Sequence, residues 1–421
     1  MSGPPGSQLR ILFLMPQLPY PPHQGRSLRN YNLLRYLALS AGHDVSLLSF
    51  SSQDSGPEDL EHLRGLCQEV RVIAAPAHTL GRRLWALVAS TRPDMAWRLA
   101  SRAYEQELRA WLGGERFDVL QVEGIEMGPY LWLLDSIDPR HRPLVVFDDH
   151  NAEYLLQKRA CLSDARHPAH WAGAAYSLAQ WLRLRRFERQ VCRRADRLIA
   201  VSEADARALR ALDAGWRPDV VPNGVDLEAY RPGLEPLEGL AHPCLMFTGK
   251  MDFRPNVDAA LWFGRQVMPH IWRRCPQARF YIVGQSPSPR LNALGGEPRI
   301  IITGYVPEAR PYIAGADVYV VPLLVGGGTR LKVLEAMAMG RALVSTRLGV
   351  EGLGVRDGQE LLLADEPEAF AGQVVALLGD EARRRALGQR ARAFVERGYG
   401  WQSIGPRLEA VYRVAQGPLL T

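Results

Sequence analysis

Cysteine, lysine and long apolar runs are scarce in this chain of 421 residues. Its five cysteines are widely spaced and form no C-x-x-C pair, so neither a disulfide framework nor a zinc site is predicted. No stretch approaches the roughly 18 consecutive apolar residues of a membrane helix. The N-terminal MSGPPGSQLRILFLMP also lacks the basic start and cleavage site of an export signal. These absences predict a cytoplasmic protein in a reducing environment.

The charge of the chain is modest overall but concentrated locally. The 51 basic and 45 acidic residues give a net charge of +6, and no nucleic-acid-binding motif accompanies it. Between Leu155 and Arg197, however, ten basic residues face three acidic ones, a local excess of +7. Most basic residues are arginines, and the three lysines are Lys158, Lys250 and Lys332. Two of these lysines fall in the motifs considered below.

Short apolar runs alternate with segments of helical period, which predicts an α/β fold with parallel sheets. In the first half, strands are predicted at 11–15, 44–50, 69–74, 119–123, 144–148 and 197–201. The pattern restarts with strands at 244–248, 279–283, 300–303, 318–322, 342–346 and 360–363. Two doubly wound sheets of similar size are therefore expected.

A segment rich in proline and glycine, 222–243, separates the two patterns and is typical of an interdomain linker. We place the boundary near residue 232, which gives domains 1–232 and 233–399. If the two sheets face each other, the carboxyl ends of both sets of strands border one cleft, where open α/β sheets bind ligands.

Two predicted strand ends of the first domain carry candidate binding residues. After the first strand, a proline-rich loop ends in Gly25 and opens a helix, so backbone amides could meet an anion there or the glycine could merely turn the chain. The run VVFDDHNAE places His150 beside two aspartates at the end of another strand. This histidine could hydrogen-bond a substrate or simply be satisfied by the carboxylates, while a metal site is less favoured by the spacing.

The strongest local signal is VGGGTRLKVLEAMAMG, in which three glycines follow a strand and a helix is predicted at 329–339. Free amides and a positive helix end suit a phosphate group. Arg330 and Lys332 add positive charge, and Glu335 could accept hydrogen bonds from a ribose diol. The alternative is a glycine-rich turn with a solvated cationic helix start.

Two weaker signals lie in the same domain. The run FTGKMDFRPN puts Lys250 and Arg254 after the strand 244–248. The strand end 303–306, closing on Val306, offers backbone groups that could read the edge of a base. Each of these is also compatible with an ordinary loop.

Together these motifs resemble the family-4 retaining glycosyltransferases of the GT-B fold, over nearly the whole chain. GGGTRLKVLEAMAMG resembles that family's donor-site signature, in which two glutamates are separated by seven residues. Glu335 matches the second glutamate, which the family uses to hold the ribose, while Gly327 stands at the first. The resemblance therefore assigns donor contacts to backbone amides of Gly326, Gly327, Gly328 and Thr329.

Further segments agree in their order along the chain. RRFERQVCRRADRLIAVSEADARAL followed by VVPNGVDLEAYRP resembles the stretch before the family's linker, which brings Ser202 and Asn223 near the donor. His150 matches a histidine that contacts the donor sugar, and Gly25 matches the glycine facing the diphosphate. Lys250 and Arg254 occupy the region of the family's basic pair. The last segment, about 400–421, resembles the helix that crosses back onto the first domain.

The resemblance implies transfer of a hexosyl group from a nucleoside diphosphate sugar, such as a UDP-sugar or GDP-mannose, to an acceptor hydroxyl with retention of configuration. Lys332, Arg330 and Lys250 would stabilise the departing diphosphate, so no metal and no further cofactor is implied. Synthesis of surface polysaccharide or glycolipid is the expected role. Alternatives are a non-catalytic nucleotide-sugar-binding protein, to which Gly327 points, and a GT-B epimerase or phosphorylase.

The acceptor is expected on the first domain, as a saccharide or a lipid-linked molecule. Two segments there, 79–102 and 155–197, mix arginine with tryptophan, as in helices that lie on anionic membranes. Peripheral contact with the inner face of a membrane is one expectation. A solvated cationic helix face with tryptophans in the core is the other.

Overall fold

The computed structural model describes residues 8–22, 25–51, 56–76, 90–165, 171–325 and 330–414. The chain divides into two compact units, Met1–Pro222 with Ile404–Thr421, and Asn223–Ser403. This division falls earlier than residue 232, because the segment after Asn223 packs on the second unit. Tyr230, Leu234 and Leu240 contact that unit's apolar core.

The first unit contains a seven-stranded sheet in which every pairing is parallel. Its strands are β1 (Arg10–Met15), β2 (Asp44–Phe50), β3 (Glu69–Ile73), β4 (Val119–Glu123), β5 (Leu144–Asp148), β6 (Arg197–Ala200) and β7 (Asp219–Val220). The order β3-β2-β1-β4-β5-β6-β7 reverses direction between β1 and β4. Near-continuous apolar runs form these strands because helices cover both faces of such a sheet.

The helices of the first unit connect these strands. They are α1 (Gly25–Arg35), α2 (Pro57–Arg64), α3 (Asp94–Arg98), α4 (Arg102–Gly114), α5 (Glu153–Ala165), α6 (Trp171–Cys192) and α7 (Glu203–Leu212). A π-helical turn, Tyr36–Ser40, extends α1, and a 3-10 segment, Ile125–Ser136, follows β4. The helix expected after Gly25 therefore begins at that residue.

The second unit repeats the architecture with a six-stranded parallel sheet in the order β10-β9-β8-β11-β12-β13. Its strands are β8 (Cys244–Thr248), β9 (Arg279–Val283), β10 (Ile300–Gly304), β11 (Val318–Val321), β12 (Leu343–Ser345) and β13 (Leu362–Leu363). Its helices are α8 (Arg254–Trp262), α9 (Met268–Trp272), α10 (Arg310–Ala314), α11 (Leu331–Ala338), α12 (Pro367–Leu378) and α13 (Glu381–Gly398). The sheet core is lined by fully buried residues such as Phe247, Phe280 and Val320.

The last helix, α14 (Trp401–Val414), begins at the end of the second unit and continues in the first. Ile404, Leu408 and Tyr412 are fully buried, and the Tyr412 hydroxyl donates to Oε1 of Gln121 on β4 at 3.1 Å. The prediction of two Rossmann-like domains with doubly wound parallel sheets is confirmed. Among the residues that the structure describes, no helix combines the length and apolar character needed to cross a bilayer.

Candidate functional site

Charged side chains gather at the carboxyl edge of the first sheet, where its strand order reverses. The strands β1, β4 and β5 all end there, and ligands bind at such points in open α/β sheets. Gly25 is the first residue of α1 and is exposed at this edge. His150 follows β5 with φ 55°, in the left-handed region that non-glycine residues seldom adopt.

His150 is held by a glutamate from the neighbouring strand. Its Nε2 lies 2.5 Å from Oε2 of Glu123 at the end of β4, and both residues are buried. The other Glu123 oxygen accepts a hydrogen bond from Gln121 at 2.9 Å, which in turn binds Tyr412 of α14. A chain of hydrogen bonds thus runs from the last helix to His150. It fixes the orientation of the ring.

A buried arginine neutralises the second carboxylate at this edge. Arg29 on α1 donates two hydrogen bonds to Oδ2 of Asp148, at 3.0 and 2.6 Å. A third hydrogen bond of 3.0 Å joins its Nη1 to the backbone oxygen of Pro222, after β7. The bidentate pair ties α1 to β5 and supplies the partner that a buried carboxylate needs.

Glu123, Asp148 and His150 offer atoms within 4.8 Å of one another, which is close enough to surround a metal ion. Their acceptor atoms are nevertheless engaged. Asp148 accepts from Arg29 and from the backbone of His150, and Glu123 accepts from Gln121 and contacts His150. An ion here would have to displace or face the Arg29 guanidinium. The arrangement therefore suits a hydrogen-bonded charge network better than a metal site.

Two more buried carboxyl groups support the loop that carries His150. Burial and the charge of Glu188 on α6 raise the pKa of Asp149, and burial raises that of Glu188 to about 8. The pair consequently retains a proton at neutral pH. Glu188 also accepts a hydrogen bond of 2.8 Å from the backbone of Tyr154 in α5, so α6 holds the segment that begins at β5.

A third cluster lies beside Gly25. Arg26 donates to Oε1 of Glu126 at 3.1 Å, and its charge outweighs the effect of burial, so the pKa of Glu126 is lowered. Burial, followed by the charge of Glu126, raises the pKa of Glu153 to about 7. Glu153 can therefore take up or release a proton near neutrality.

In the second unit, two glycines allow a close approach between the ends of β8 and β9. A Cβ on Gly284 would lie 1.7 Å from the backbone oxygen of Gly249. A Cβ on Gly249 would in turn lie 2.7 Å from Nζ of Lys332 and 2.8 Å from Nδ2 of Asn256. The absence of side chains at these two positions makes room for the lysine.

Lys332, in the first turn of α11, reaches back to the end of β8. Its Nζ donates to Oδ1 of Asn256 at 2.8 Å and lies 4.3 Å from the centroid of the Phe247 ring. Asn256 is itself fixed, because its Nδ2 donates to the backbone oxygen of Lys250 at 2.9 Å. Burial, with the charge of Arg330, lowers the pKa of Lys332 to about 7, and Glu335 opposes the change.

Glu335 lies one turn further along α11. The Tyr230 hydroxyl donates a hydrogen bond to it, and burial raises its pKa while Lys332 opposes the rise. Arg310, after β10, lies over the Tyr230 ring at 5.9 Å and forms an ion pair with Glu308. The ends of β8, β10 and β11 thus contribute to one group of polar side chains around α11.

Three other residues that the sequence suggested for the donor site lie in more exposed pairs or in a helix cap. Lys250 and Arg254 are half exposed and pair with Asp252 and Asp258, at 3.4 and 3.5 Å. Ser202 caps α7, since its Oγ accepts from the backbone of Asp205 at 3.1 Å.

The rest are placed by their positions in the chain. Asn223 opens the second unit, Val306 packs against that unit's core, and Arg330 is buried directly before α11. Gly326, Gly327, Gly328 and Thr329 lie outside the described residues.

Sequence reasoning missed Glu123, Arg29, Asn256 and Tyr230 as members of these groups. The sequence does mark Glu123, because it ends a predicted strand and is followed by Gly124. In the structure this glycine has a φ of 85°. Tyr230 lies in the segment interpreted as a linker. Arg29 and Asn256 lie within helix patterns, where a polar residue ordinarily faces solvent.

A cavity of about 220 Å³ occupies a different place, at the amino-terminal edge of the first sheet, and includes Arg10, Glu115 and Asp44 in its lining. Arg10 pairs with Glu115 across 2.5 Å, so these charges neutralise each other. Ligands of open α/β sheets bind at the opposite edge, and we assign this cavity no function.

The comparison with protein families matches both units. Residues 25–224 match the family described as "Glycosyl transferase 4-like domain", and residues 242–380 match "Glycosyl transferases group 1". An "Uncharacterized 44.6 kDa protein in cps region" of Klebsiella pneumoniae is 21% identical over 94% of this chain and 97% of its own length. A phosphatidyl-myo-inositol mannosyltransferase of Mycolicibacterium smegmatis is 29% identical over 52% of this chain. That alignment covers 57% of the mannosyltransferase.

Solved structures share the fold at low identity. A sucrose-phosphate synthase from Thermosynechococcus elongatus superposes with a TM-score of 0.70 at 18% identity, covering 97% of this chain and 99% of that one. Anabaena Alr3699/HepE in complex with UDP and glucose superposes with a TM-score of 0.63 at 15% identity, covering 96% and 100%. Fold and family models together define a glycosyltransferase with the GT-B fold. The chain belongs to family 4 of these enzymes.

Proposed function

We propose that the protein transfers a hexosyl group, with retention of configuration, from a nucleoside diphosphate sugar to an acceptor hydroxyl. The observation that carries this proposal is the pair of residues on α11. Lys332 is held by Asn256 in the space left by Gly249, and Glu335 stands one turn away beside Tyr230. The Lys332 ammonium group can pair with a diphosphate, and the Glu335 carboxylate can accept hydrogen bonds from the hydroxyls of a ribose.

The second unit would bind the nucleotide. Lys332 and Arg330 would face the diphosphate, together with the backbone amides of 326–329, which precede α11 in the sequence, while Glu335 would accept hydrogen bonds from the ribose hydroxyls. Backbone groups near Val306 would face the base. Because negative charge grows on the diphosphate as the anomeric bond breaks, cations fixed beside it stabilise the transition state more than the ground state.

The first unit would bind the acceptor and assist at the sugar. His150, oriented by Glu123, would hydrogen-bond the transferred sugar, and Gly25 would present backbone amides to the diphosphate. With retention of configuration, the leaving phosphate oxygen would take the proton of the acceptor hydroxyl as the new glycosidic bond forms on the same face. In this scheme cationic side chains do the work of a divalent metal.

The names of the relatives support a proposal for the biological role. One is named from a cps region and others are named phosphatidyl-myo-inositol mannosyltransferases, and these names support a proposed role in the synthesis of surface polysaccharide or glycolipid. We propose a cytoplasmic location with peripheral contact to the inner face of a membrane through the first unit. A saccharide or lipid-linked acceptor fits either product.

A thermal-shift panel with UDP, GDP, ADP and their common sugars tests the donor site. A ligand that binds the folded state at about 100 times its dissociation constant adds about 2.7 kcal/mol of stability, which is a shift of several degrees. We expect one base to stand out, and Glu335→Gln to lose the shift. Glu368→Gln, at an exposed position in the first turn of α12 in the same unit, is the matched control.

Turnover and its stereochemistry are then measured with the stabilising donor. NMR of the product during the first turnovers should show the donor's anomeric configuration retained, and activity should persist in EDTA. If no nucleotide shifts the melting temperature, the donor-site proposal is wrong. If a nucleotide binds but the donor is neither transferred nor hydrolysed with any acceptor, the protein is the non-catalytic alternative to which Gly327 points.

A further inference from the structure

The helices α5 and α6 carry an unusual concentration of exposed apolar side chains. Ten large hydrophobic residues are exposed among the described residues, and five of them belong to these two helices. They are Leu162, Trp171, Tyr176, Leu178 and Leu182, with exposed fractions between 37% and 63%. Scattered exposed residues are normal in soluble proteins, but a cluster of this kind marks an interaction surface.

The periodicity of α6 places three of these residues on one line. At 100° per residue, Leu178 and Leu182 lie within about 20° of Trp171 around the helix axis. Arg185 and Arg189 continue the same line, and Arg186 lies beside it, all three with exposed side chains. Along this face of α6, the amino-terminal part is therefore apolar and the carboxyl-terminal part is cationic. Among the described residues of α6, the one carboxylate is Glu188, which is fully buried and lies about 100° around the axis from Trp171.

The inner side of α6 is packed on the first core, so the outer side faces away from that core. Leu184, Phe187 and Val191 are buried in the first core, and the Phe187 ring stacks on Trp132. Lys158 of α5 lies 5.5 Å from the centroid of the Trp181 ring and helps to join the two helices. These contacts fix which face of α6 points away from the core.

We propose that this face, formed by Leu162, Trp171, Tyr176, Leu178 and Leu182 with Arg185, Arg186 and Arg189, docks on an anionic lipid bilayer. Leucine and tryptophan side chains partition into the boundary between head groups and acyl chains, and arginines pair with lipid phosphates. The apolar line from Trp171 to Leu182 is about 16 Å long, which suits a helix lying in the plane of the interface. A protein partner of matching shape would not require the line of arginines.

The surface connects directly to the proposed site. The helix α5 begins three residues after His150, and Leu162 lies about 13 Å along it from Glu153. Docking would therefore bring the end of β5 close to head groups, where a lipid-linked acceptor presents its hydroxyl. This consequence rests on the proposed function, whereas the docking itself does not.

Flotation of the full chain with lipid vesicles tests the proposal. We expect binding to vesicles of equimolar phosphatidylcholine and phosphatidylglycerol, weaker binding to phosphatidylcholine alone, and a decline with added salt. The double variant Leu178→Ser with Leu182→Ser should lower partitioning onto the vesicles about tenfold or more. The reason is that two apolar side chains no longer gain free energy by moving from water into the bilayer. Arg185→Gln with Arg186→Gln should lower it about tenfold on the anionic vesicles.

Matched controls are available within the chain. Leu39 and Leu237 are exposed by 60% and 37%, against 44% and 55% for Leu178 and Leu182, and lie outside the two helices. The double variant Leu39→Ser with Leu237→Ser should bind vesicles like the unmodified chain. Arg109→Gln with Arg116→Gln, on the exposed side of α4 and just beyond it, is the control for charge. Circular dichroism and the melting temperature show whether each variant is folded.

Three results would overturn the proposal. The first is that the chain does not float with anionic vesicles. The second is that the variants at Leu178 with Leu182 and at Arg185 with Arg186 float no less than their controls. The third is that the unmodified chain is a dimer in solution that Leu178→Ser with Leu182→Ser dissociates, in which case a second copy covers the face. None of these depends on nucleotide binding, so failure here and failure of the proposed donor site are distinguished by the thermal-shift panel.

Discussion

At the scale of single residues, Lys332 is a buried amine whose protonation we expect to change when an anion binds beside it. Its pKa is lowered to about 7, mainly by burial, so about half of the free protein carries the neutral amine at that pH. Because the pKa in the unfolded chain is about 10.4, the unfolded state binds more protons between pH 7 and 10. This lysine therefore costs stability below pH 7, and the cost is relieved as pH rises through that window.

A diphosphate beside Nζ would favour the charged amine and so couple binding to protonation. We expect nucleotide binding at pH 8 to take up a proton, and affinity to fall by up to about tenfold per pH unit between pH 7 and 9. Calorimetry in two buffers of different ionisation enthalpy measures this uptake. In Lys332→Arg the uptake should vanish, since guanidinium stays charged throughout. Buffer-independent binding enthalpy in the unmodified protein would contradict the role of Lys332.

Asn256 provides a near-isosteric second test of the same contact. Asn256→Asp places a carboxylate where the amide oxygen now lies, 2.8 Å from Nζ of Lys332. The negative charge should raise the pKa of the lysine and compete with the diphosphate. We expect weaker nucleotide binding without proton uptake at pH 8. Asn292→Asp, in the 3-10 segment Pro289–Leu294, is a control for adding one negative charge to this unit.

Glu123 is expected to act through His150 and not on the substrate directly. Glu123→Gln keeps the size of the side chain but replaces the charged carboxylate beside the His150 ring with a neutral amide, which weakens the contact that orients the ring. We expect kcat to fall by about ten- to a hundredfold, or about 1.4 to 3 kcal/mol, with nucleotide affinity unchanged. His150→Gln should cause a similar loss, and the double variant little more, because the two residues act as a unit. Equal losses in kcat and nucleotide affinity would argue against this positioning role.

The sequence predicts candidate residues better than it predicts their partners. His150, Lys332 and Glu335 stand next to strand ends or glycines, and such local patterns reveal them. Glu123 and Asn256 become relevant because another strand or helix brings them within 3 Å of those residues. That proximity depends on strand order and on helix packing, which no local pattern contains.

At the scale of elements, apolar runs predict long strands well and short ones poorly. The strands β2, β4, β5, β8 and β9 have the predicted bounds, because each is a buried run that ends at a polar residue or a glycine. The strand β7 has two residues and was missed, and β13 is confined to Leu362–Leu363 within a longer predicted run. Pairing with a neighbouring strand, and not the apolar pattern, determines these short elements.

The contact between the ends of β8 and β9 offers a prediction at this scale. Gly284→Ala puts a methyl group 1.7 Å from the backbone oxygen of Gly249, so the two strand ends must separate. We expect a loss of about 2 to 4 kcal/mol in the free energy of unfolding by urea, together with weaker nucleotide binding, because Gly249 borders Lys332. A Cβ on Gly296 has no heavy atom within 4 Å, which makes Gly296→Ala the matched control. Equal stability of the two variants would contradict the reported close approach.

At the scale of the whole molecule, the chain leaves the first unit at Pro222 and returns to it at Ile404. The sequence predicted a returning helix from about residue 400 by resemblance to a family, and α14 occupies 401–414. Its buried residues could not be assigned to the first core from their pattern alone, since an amphipathic helix fits either unit. The hydrogen bond between Tyr412 and Gln121 on β4 shows that this end of α14 packs in the first unit.

The returning helix therefore contributes to the stability of a unit that is remote from it in sequence. Ending the chain after Ser403 removes Ile404, Leu408, Val411 and Tyr412, each at most 3% exposed. At about 1.5 to 3 kcal/mol for each buried side chain, the loss is comparable to the whole stability of a domain. We expect limited proteolysis to cut the first unit rapidly while the second, Asn223–Ser403, resists and keeps its nucleotide-dependent thermal shift.

The control is Tyr412→Phe, which retains the ring and loses one hydrogen bond. It should lower the free energy of unfolding by only about 1 kcal/mol and leave both units resistant to protease. If the shortened chain instead has the melting temperature and protease resistance of the full chain, α14 is dispensable to the first core. If the shortened chain no longer binds nucleotide, the second unit does not bind the nucleotide by itself.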